Sequence, residues 1–220
     1  MRTRLQRLTA VAGLAICAAT GIGAVPATAA EVSACPDVDL IFARGTFEIP
    51  GLGIVGKPLL PALQRALPGK SVSAHAVDYA ASFDQSSAGP GATEMTRQLT
   101  RRAAGCPGTK FVLGGLSQGA SVTDIAVGVK SGLGSGEVVP DDLADRVVAV
   151  VAFGNPLGGL YRRTIKESSP IYGPKALELC NVGDPVCGGQ GTRGPGLGHL
   201  SYGMDGSVDI AAKFVAQHYN

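Results

Sequence analysis

Three side chains of this 220-residue chain have the types and the order needed for attack on a carbonyl carbon. Ser117 lies in Gly115-Leu116-Ser117-Gln118-Gly119, a G-x-S-x-G pentapeptide between an apolar run and a helix-like segment. A serine hydroxyl is a weak nucleophile until a base takes its proton and an acid orients that base. His199, just after the glycine-rich stretch 188–198, is the candidate base. Asp184 is the candidate acid. It lies within Cys180-Asn181-Val182-Gly183-Asp184-Pro185-Val186-Cys187, where a short disulfide ring would hold a loop carboxylate still. The order Ser117, Asp184, His199 is the one found where a nucleophile elbow is followed by its partners along the chain. Asp205 and Asp209 are the alternative acids. His75 falls inside a strand-like run and reads as a core or edge histidine. His218, near the C-terminus, reads as a surface residue.

An elbow serine needs a strand before it and a helix after it. Five strand-like runs are spaced along the chain: Val38–Ala43, Ser71–Val77, Lys110–Leu113 with its flanks, Arg146–Phe153 and Ala176–Asn181. The third and fourth are almost wholly apolar, as strands covered on both faces are. Helix-like segments lie between them at Lys57–Leu67, Ala92–Ala104 and Gln118–Lys130. A last one, Ser207–His218, carries Val208, Ala211, Ala212, Val215 and Ala216 on one stripe. Strand alternating with helix predicts an α/β protein with a five-stranded, mostly parallel sheet. Stretches 131–136 and 188–198 read as loops.

Residues 1–30 read as a secretory signal peptide. Arg2, Arg4 and Arg7 precede an apolar stretch, Leu8 to Val25, and cleavage is expected after Ala29 or Ala30. Residues 31–220 then form one domain, exported and extracellular or cell-wall associated, with no stable membrane insertion once the signal is gone. Loss of the three arginines leaves sixteen basic against seventeen acidic residues, so the basic balance belongs to the leader. With no tryptophan and 5% aromatic residues, nothing favours a nucleic-acid partner. Cys17 also leaves with the leader. Cys35, Cys106, Cys180 and Cys187 remain, an even number that reads as two disulfides in an exported chain. Three pairings are possible, and 35–106 with 180–187 is the simplest. The absence of a CxxC pair, and of histidines at ligand spacing, argues against a metal site.

Taken together, five segments resemble the cutinase family of serine esterases, which includes acetylxylan esterases and actinobacterial cutinase-like proteins. They are Phe42-Ala43-Arg44-Gly45-Thr46-Phe47-Glu48, Asp78-Tyr79-Ala80-Ala81, the Gly115–Ala120 elbow, the Cys180–Cys187 segment and His199-Leu200-Ser201-Tyr202. The resemblance implies a lidless three-layer α/β/α hydrolase sandwich. It also implies Ser117 as nucleophile, His199 as base and Asp184 as acid. Its oxyanion hole would be the backbone N–H groups of Thr46 and Gln118, helped by the Thr46 hydroxyl. Its disulfides would be Cys35–Cys106 and Cys180–Cys187, and it needs no metal or cofactor. The implied partner is an ester substrate: a lipid, a polyester or an acylated polysaccharide, taken by a monomer with short to medium acyl chains.

One segment departs from the pattern. Fungal cutinases have apolar residues before the catalytic histidine, whereas 188–198 here has only Leu197 as a strongly apolar residue. The expectation is a site without a greasy polymer-binding rim. The competing expectations are an acetylxylan esterase and a catalytically silent wall-associated protein on the same fold.

Overall fold

The computed structural model describes residues 35–130, 132–188 and 192–219. The expected signal peptide and Cys17 lie outside the described residues. In chain order the elements are β1 (Val38–Ala43), α1 (Gly53–Ala66), β2 (Val72–Ala76), α2 (Ala88–Gly105), β3 (Lys110–Leu116), α3 (Gln118–Ala126) and β4 (Val147–Phe153). Then follow α4 (Pro156–Tyr161), α5 (Ile165–Ser168), β5 (Ala176–Val182), β6 (Thr192–Leu197) and α6 (Ser207–Tyr219). The strands form one sheet in the order β2-β1-β3-β4-β5-β6, and every pairing is parallel.

Strand geometry splits the core in two, because successive side chains point to opposite faces. On β1, Val38, Leu40 and Phe42 face one way and pack with Val55, Leu59 and Leu63 of α1 and Val208, Ala211 and Val215 of α6. Ile41 and Ala43 face the other way and pack with Met95 and Leu99 of α2 and Val122 and Ile125 of α3. The result is a three-layer α/β/α sandwich. None of its described helices is long and apolar enough to cross a membrane.

The expected five strands become six. Stretch 188–198, read as a loop, contains β6, which pairs with β5 through Leu179↔Thr192, Cys180↔Arg193 and Val182↔Leu197. Its glycines serve close approach. A Cβ at Gly194 would lie 2.0 Å from Asn181 Oδ1, and one at Gly196 would lie 1.8 Å from Asp205 Oδ2. The short helices α4 and α5 are also additions. α5 opens with a reciprocal cap, in which Thr164 Oγ1 accepts from Glu167 N and the Glu167 carboxylate accepts from Thr164 N.

The chain winds outward from β1 in both directions, to β2 on one side and to β3 on the other. Loops leaving the C-terminal ends of β1 and β3 therefore diverge and leave a crevice. Thr46 follows β1 and Ser117 follows β3, so both expected site residues sit at that crevice.

Cys35 and Cys106 are joined, with Cα atoms 5.5 Å apart. The bond ties the segment before β1 to the end of α2 across 71 residues of sequence. Restricting so long a loop in the unfolded chain should contribute roughly 4 kcal/mol. A Cys35→Ala/Cys106→Ala double variant should lose about that much in urea unfolding. A loss below about 1 kcal/mol would show that the unfolded chain is compact around this bond without it.

Candidate active site

The nucleophile candidate sits on a strained turn. Ser117 has φ 55° and ψ −119°, an unusual conformation for a non-glycine residue. The flanking sequence allows it. A Cβ at Gly115 would lie 2.0 Å from Gly119 O, and a Cβ at Gly119 would lie 2.0 Å from Ala43 O. Neither position accepts a larger residue, which gives the pentapeptide its physical meaning. Ser117 N donates to Phe153 O at 2.9 Å, locking the turn to the end of β4. Every residue of α3 is buried, while Ser117 itself is half-exposed.

His199 and Asp184 are brought together. His199 Nδ1 lies 3.0 Å from Asp184 Oδ1 and 2.9 Å from Asp184 Oδ2. Asp184 is buried, and its loop is closed by the Cys180–Cys187 disulfide, with Cα atoms 5.8 Å apart. Its Oδ1 also accepts from Val186 N at 2.8 Å, and its Oδ2 accepts from the Tyr202 hydroxyl. Burial pushes the Asp184 carboxyl up. The bonds from His199, Tyr202 and Val186 outweigh that and hold it below the ordinary carboxylate range. Gly154, next to Phe153, walls this pair: a Cβ there would lie 2.7 Å from His199 Cε1 and 2.9 Å from Asp184 Oδ2. The Ser117 turn and the imidazole thus both rest against Phe153-Gly154. No hydrogen bond joins Ser117 Oγ to His199 among the described residues, and such bonds commonly tighten only around substrate.

The alternative acids are used elsewhere. Asp205 Oδ2 accepts from Ser201 Oγ at 2.7 Å and from Asn181 Nδ2 at 2.8 Å. Asp209 pairs with Arg65 at 2.9 Å. His75, on the outer strand β2, has Nε2 3.4 Å from Asp39 Oδ1 of β1. His218 is half-buried and packs at a tilt against Phe214, with ring centroids 4.1 Å apart.

The two amides expected to hold an oxyanion are carried by stiffened loops. The Gln118 side chain is fully buried, donates to Ser82 O at 2.8 Å and accepts from Ser87 Oγ at 3.5 Å. The Thr46 loop is tied from three sides. Glu48 accepts from Gly45 N and, at 2.6 Å, from Ile54 N at the start of α1. Arg44 donates to Glu48 O at 2.8 Å and to Tyr79 O at 2.7 Å. Phe47, at φ 62°, donates to Ala81 O at 3.1 Å. Segment Asp78–Ala81 is therefore a buttress for the Thr46 loop. Gln85 Nε2 donates to Thr46 Oγ1 at 3.3 Å, which leaves the threonine proton free to point elsewhere.

Sequence reasoning gave no role to the supporting residues Glu48, Gln85 and, above all, Tyr202. Tyr202 is fully buried, donates to Asp184 Oδ2 and accepts from Asn181 N at 3.0 Å. Its place three residues after His199 was a usable signal. Burial and the neighbouring carboxylate push its phenol far up, so it stays a donor. Tyr202→Phe should lower kcat by roughly tenfold, since a hydrogen bond to a charged group contributes about 1.5–3 kcal/mol. A kcat within twofold of the parent would reduce Tyr202 to a packing role.

Most of the greasy rim comes from segments other than the stretch before His199, which adds only Leu197. Phe47 and Phe83, each 76% exposed, stack with centroids 5.7 Å apart. Phe47, Ile49, Ile54, Gly53, Glu48 and Lys57 line a cleft of 260 Å³ beside Thr46. Leu197, Leu200 and Met204 are also exposed. A Cβ at Gly203 would lie 2.2 Å from Ile54 O, so the segment after His199 reaches this cleft. Isolated exposed apolar side chains are ordinary, whereas a contiguous set marks a contact surface.

A family model for cutinase matches residues 34–219. A cutinase of Kineococcus radiotolerans is 56% identical over 182 residues, covering 83% of this chain and 61% of the relative. The chain thus spans about three-fifths of that relative's length. The Phospholipase Culp4 of Mycobacterium tuberculosis is 40% identical over 216 residues, covering 96% of this chain and 91% of the relative. A structure of Trichoderma reesei cutinase with a phosphonate inhibitor aligns at TM-score 0.63 and 29% identity, covering 84% and 78% of the two chains. An acetylxylan esterase structure aligns at TM-score 0.70 and 25% identity, covering 84% of this chain and 100% of the other. The family match and the 56% relative agree with the elbow, the sandwich and the two disulfides: the chain belongs to the cutinase family, a family of carboxylic ester hydrolases.

Proposed function

We propose that the protein is a secreted, monomeric serine esterase that cleaves carboxylic esters of short to medium acyl chains. Ser117 is the nucleophile, His199 the base and Asp184 the acid. The observation that carries this reading is the His199–Asp184 pair, anchored by Tyr202 and Val186 and set beside the strained serine turn. Ser117 Oγ attacks the ester carbonyl carbon while its proton passes to His199 Nε2. Negative charge develops on the carbonyl oxygen, within reach of the Thr46 and Gln118 amides and the Thr46 hydroxyl. Collapse expels the alcohol, which takes the proton from His199. Water then attacks the acyl-serine, again giving its proton to His199, and the acid leaves as Ser117 regains its proton. The two disulfides suit an oxidising compartment, in keeping with export through residues 1–30 and one domain over 31–220.

The rim favours an apolar acyl group or a lipid-like ester over a sugar-bound acetyl group. The test is a profile of p-nitrophenyl esters from acetyl to palmitoyl beside acetylated xylan, with fluorophosphonate labelling of Ser117. Maximal kcat/KM at butyryl to octanoyl supports the reading. A maximum on acetylated xylan assigns the chain to acetylxylan esterases. No labelling and no turnover would leave a silent wall protein.

A further inference from the structure

Behind the site lie two acids that the mechanism does not use. Asp124 on α3 and Glu178 on β5 are both buried, and Asn155 stands between them. Asn155 Nδ2 donates to Asp124 Oδ1 at 3.0 Å and to Glu178 Oε1 at 2.9 Å. Its Oδ1 accepts from Leu157 N at 3.0 Å, so the amide orientation is fixed by its partners. Glu178 Oε2 accepts from Ile165 N at 2.8 Å. One amide therefore ties three segments: the helix that follows Ser117, the strand that leads to Asp184, and the Phe153-Gly154-Asn155 junction. That junction accepts from Ser117 N through Phe153 O and walls the His199–Asp184 pair with Gly154.

We propose that Asn155, held between the Asp124 and Glu178 carboxyls, is a positioning residue that seats the Gly154 wall against His199 and Asp184, and that alkaline conditions release it. The inference rests on the triad reading above. Asp124 Oδ2 has no hydrogen-bond partner among the described residues, so an ionised carboxylate there would bury a charged oxygen without a donor. No cation offsets it among the described residues. Of α2, packed on α3, Arg97 is paired with Glu137, Arg101 with Glu94 and Arg102 with Asp39. From β3 only Lys110 is charged, and it donates to Asp145 O at 3.4 Å; β1 carries Asp39, and β4 carries no ionisable side chain. From α4 only Tyr161 is ionisable; from α5 Glu167 adds negative charge beside Glu178, while the exposed Lys166 reaches Glu178 through its backbone N–H and not its ammonium. Burial first, then Glu178, pushes the Asp124 carboxyl well up. Burial pushes Glu178 up to about 7. The pair keeps a proton at neutral pH. As pH rises, both acids are driven to ionise beside each other. Two facing charges across one amide pull the clamp apart.

The test compares pH profiles of kcat for wild type, Asp124→Asn and Asn155→Leu, with a soluble neutral ester. Wild type should lose activity reversibly on the alkaline side. Asp124→Asn keeps the amide contact and cannot ionise, so its neutral kcat should stay within about twofold while its alkaline fall moves up by about one pH unit or more. Asn155→Leu should lower kcat about tenfold at neutral pH with KM little changed. A purely structural role would lower the melting temperature of these variants and leave the alkaline limbs superimposed, which would overturn the proposal. So would a wild type with no alkaline fall. If Asp124→Asn does not fold, Glu178→Gln carries the same expectation. The infrared band of a protonated carboxyl in wild type at neutral pH is a check that needs no variant, and its absence also overturns the clamp. Ser117→Ala in parallel separates the two readings. Activity surviving that change brings down triad and clamp together, whereas superimposed limbs bring down the clamp alone.

Discussion

Ser117→Ala is expected to lower kcat by about 10³-fold or more and to leave the fold intact. The size follows from the chemistry. Without the hydroxyl there is no acyl-serine, and what remains is the contribution of the oxyanion donors and of substrate binding. A 10³-fold loss corresponds to about 4 kcal/mol of transition-state stabilisation. The fold should survive because the Ser117 side chain makes no hydrogen bond among the described residues. The bond that locks the turn runs from its backbone N to Phe153 O. Alanine carries the same Cβ into the same φ 55° conformation, so the strain is unchanged. The stability change should stay within about 0.5 kcal/mol. The measurement is kcat on a soluble ester, with a thermal melt and fluorophosphonate labelling on the same preparation. Activity within tenfold of the parent, free of contaminating esterase, would remove Ser117 from the reaction.

How much of this was legible in the sequence depends on the range of the interactions involved. The elbow was readable because its constraint is local: Gly115 meets Gly119 across a single turn. The strands β3 and β4 were readable because burial on both faces leaves an almost wholly apolar run. β6 was not readable. Its glycines make room for Asn181 on the neighbouring strand and Asp205 beyond the next turn, which a window confined to the glycine-rich stretch does not show. The apolar rim was sought in one loop, but the fold assembles it from Phe47, Ile49, Ile54 and Phe83, on segments unrelated to that loop. The extension of Gln118–Lys130 as a helix failed for a local reason: Gly128 adopts φ +79° and the helix ends at Ala126. Asp124 and Glu178 gave no signal at all. An acid in a helix and an acid in a strand look solvent-facing until the packing puts Asn155 between them.

Asp184→Asn should lower kcat by roughly 10⁴-fold, by analogy with triads whose acid becomes an amide. The contacts here give the reason. Asp184 receives donors on both oxygens: Val186 N–H on Oδ1, the Tyr202 hydroxyl on Oδ2, and His199 Nδ1 on both. An asparagine has one acceptor and one donor group. Its oxygen is required opposite Val186, because a backbone N–H cannot become an acceptor. Its NH₂ then takes the place of Oδ2 and faces His199. Nδ1 must accept, the ring proton moves to Nε2, and the imidazole can no longer take the serine proton. KM should change little, since Asp184 is buried and not offered to substrate. A pH signature accompanies the loss. The carboxyl of Asp184 is depressed in the folded protein, so its stabilisation is present above the unfolded value of about 3.9 and is lost as pH falls through the folded value. Wild type should therefore shed stability as pH falls below about 4, and the asparagine variant should show a flatter acid limb by up to one proton. The readouts are kcat at neutral pH and thermal stability between pH 2 and 6, with the Cys180–Cys187 bond verified in the variant. A variant that keeps a tenth of the parent activity would take the acid role from Asp184. Asp205 could fill it only by giving up its bonds to Ser201 and Asn181.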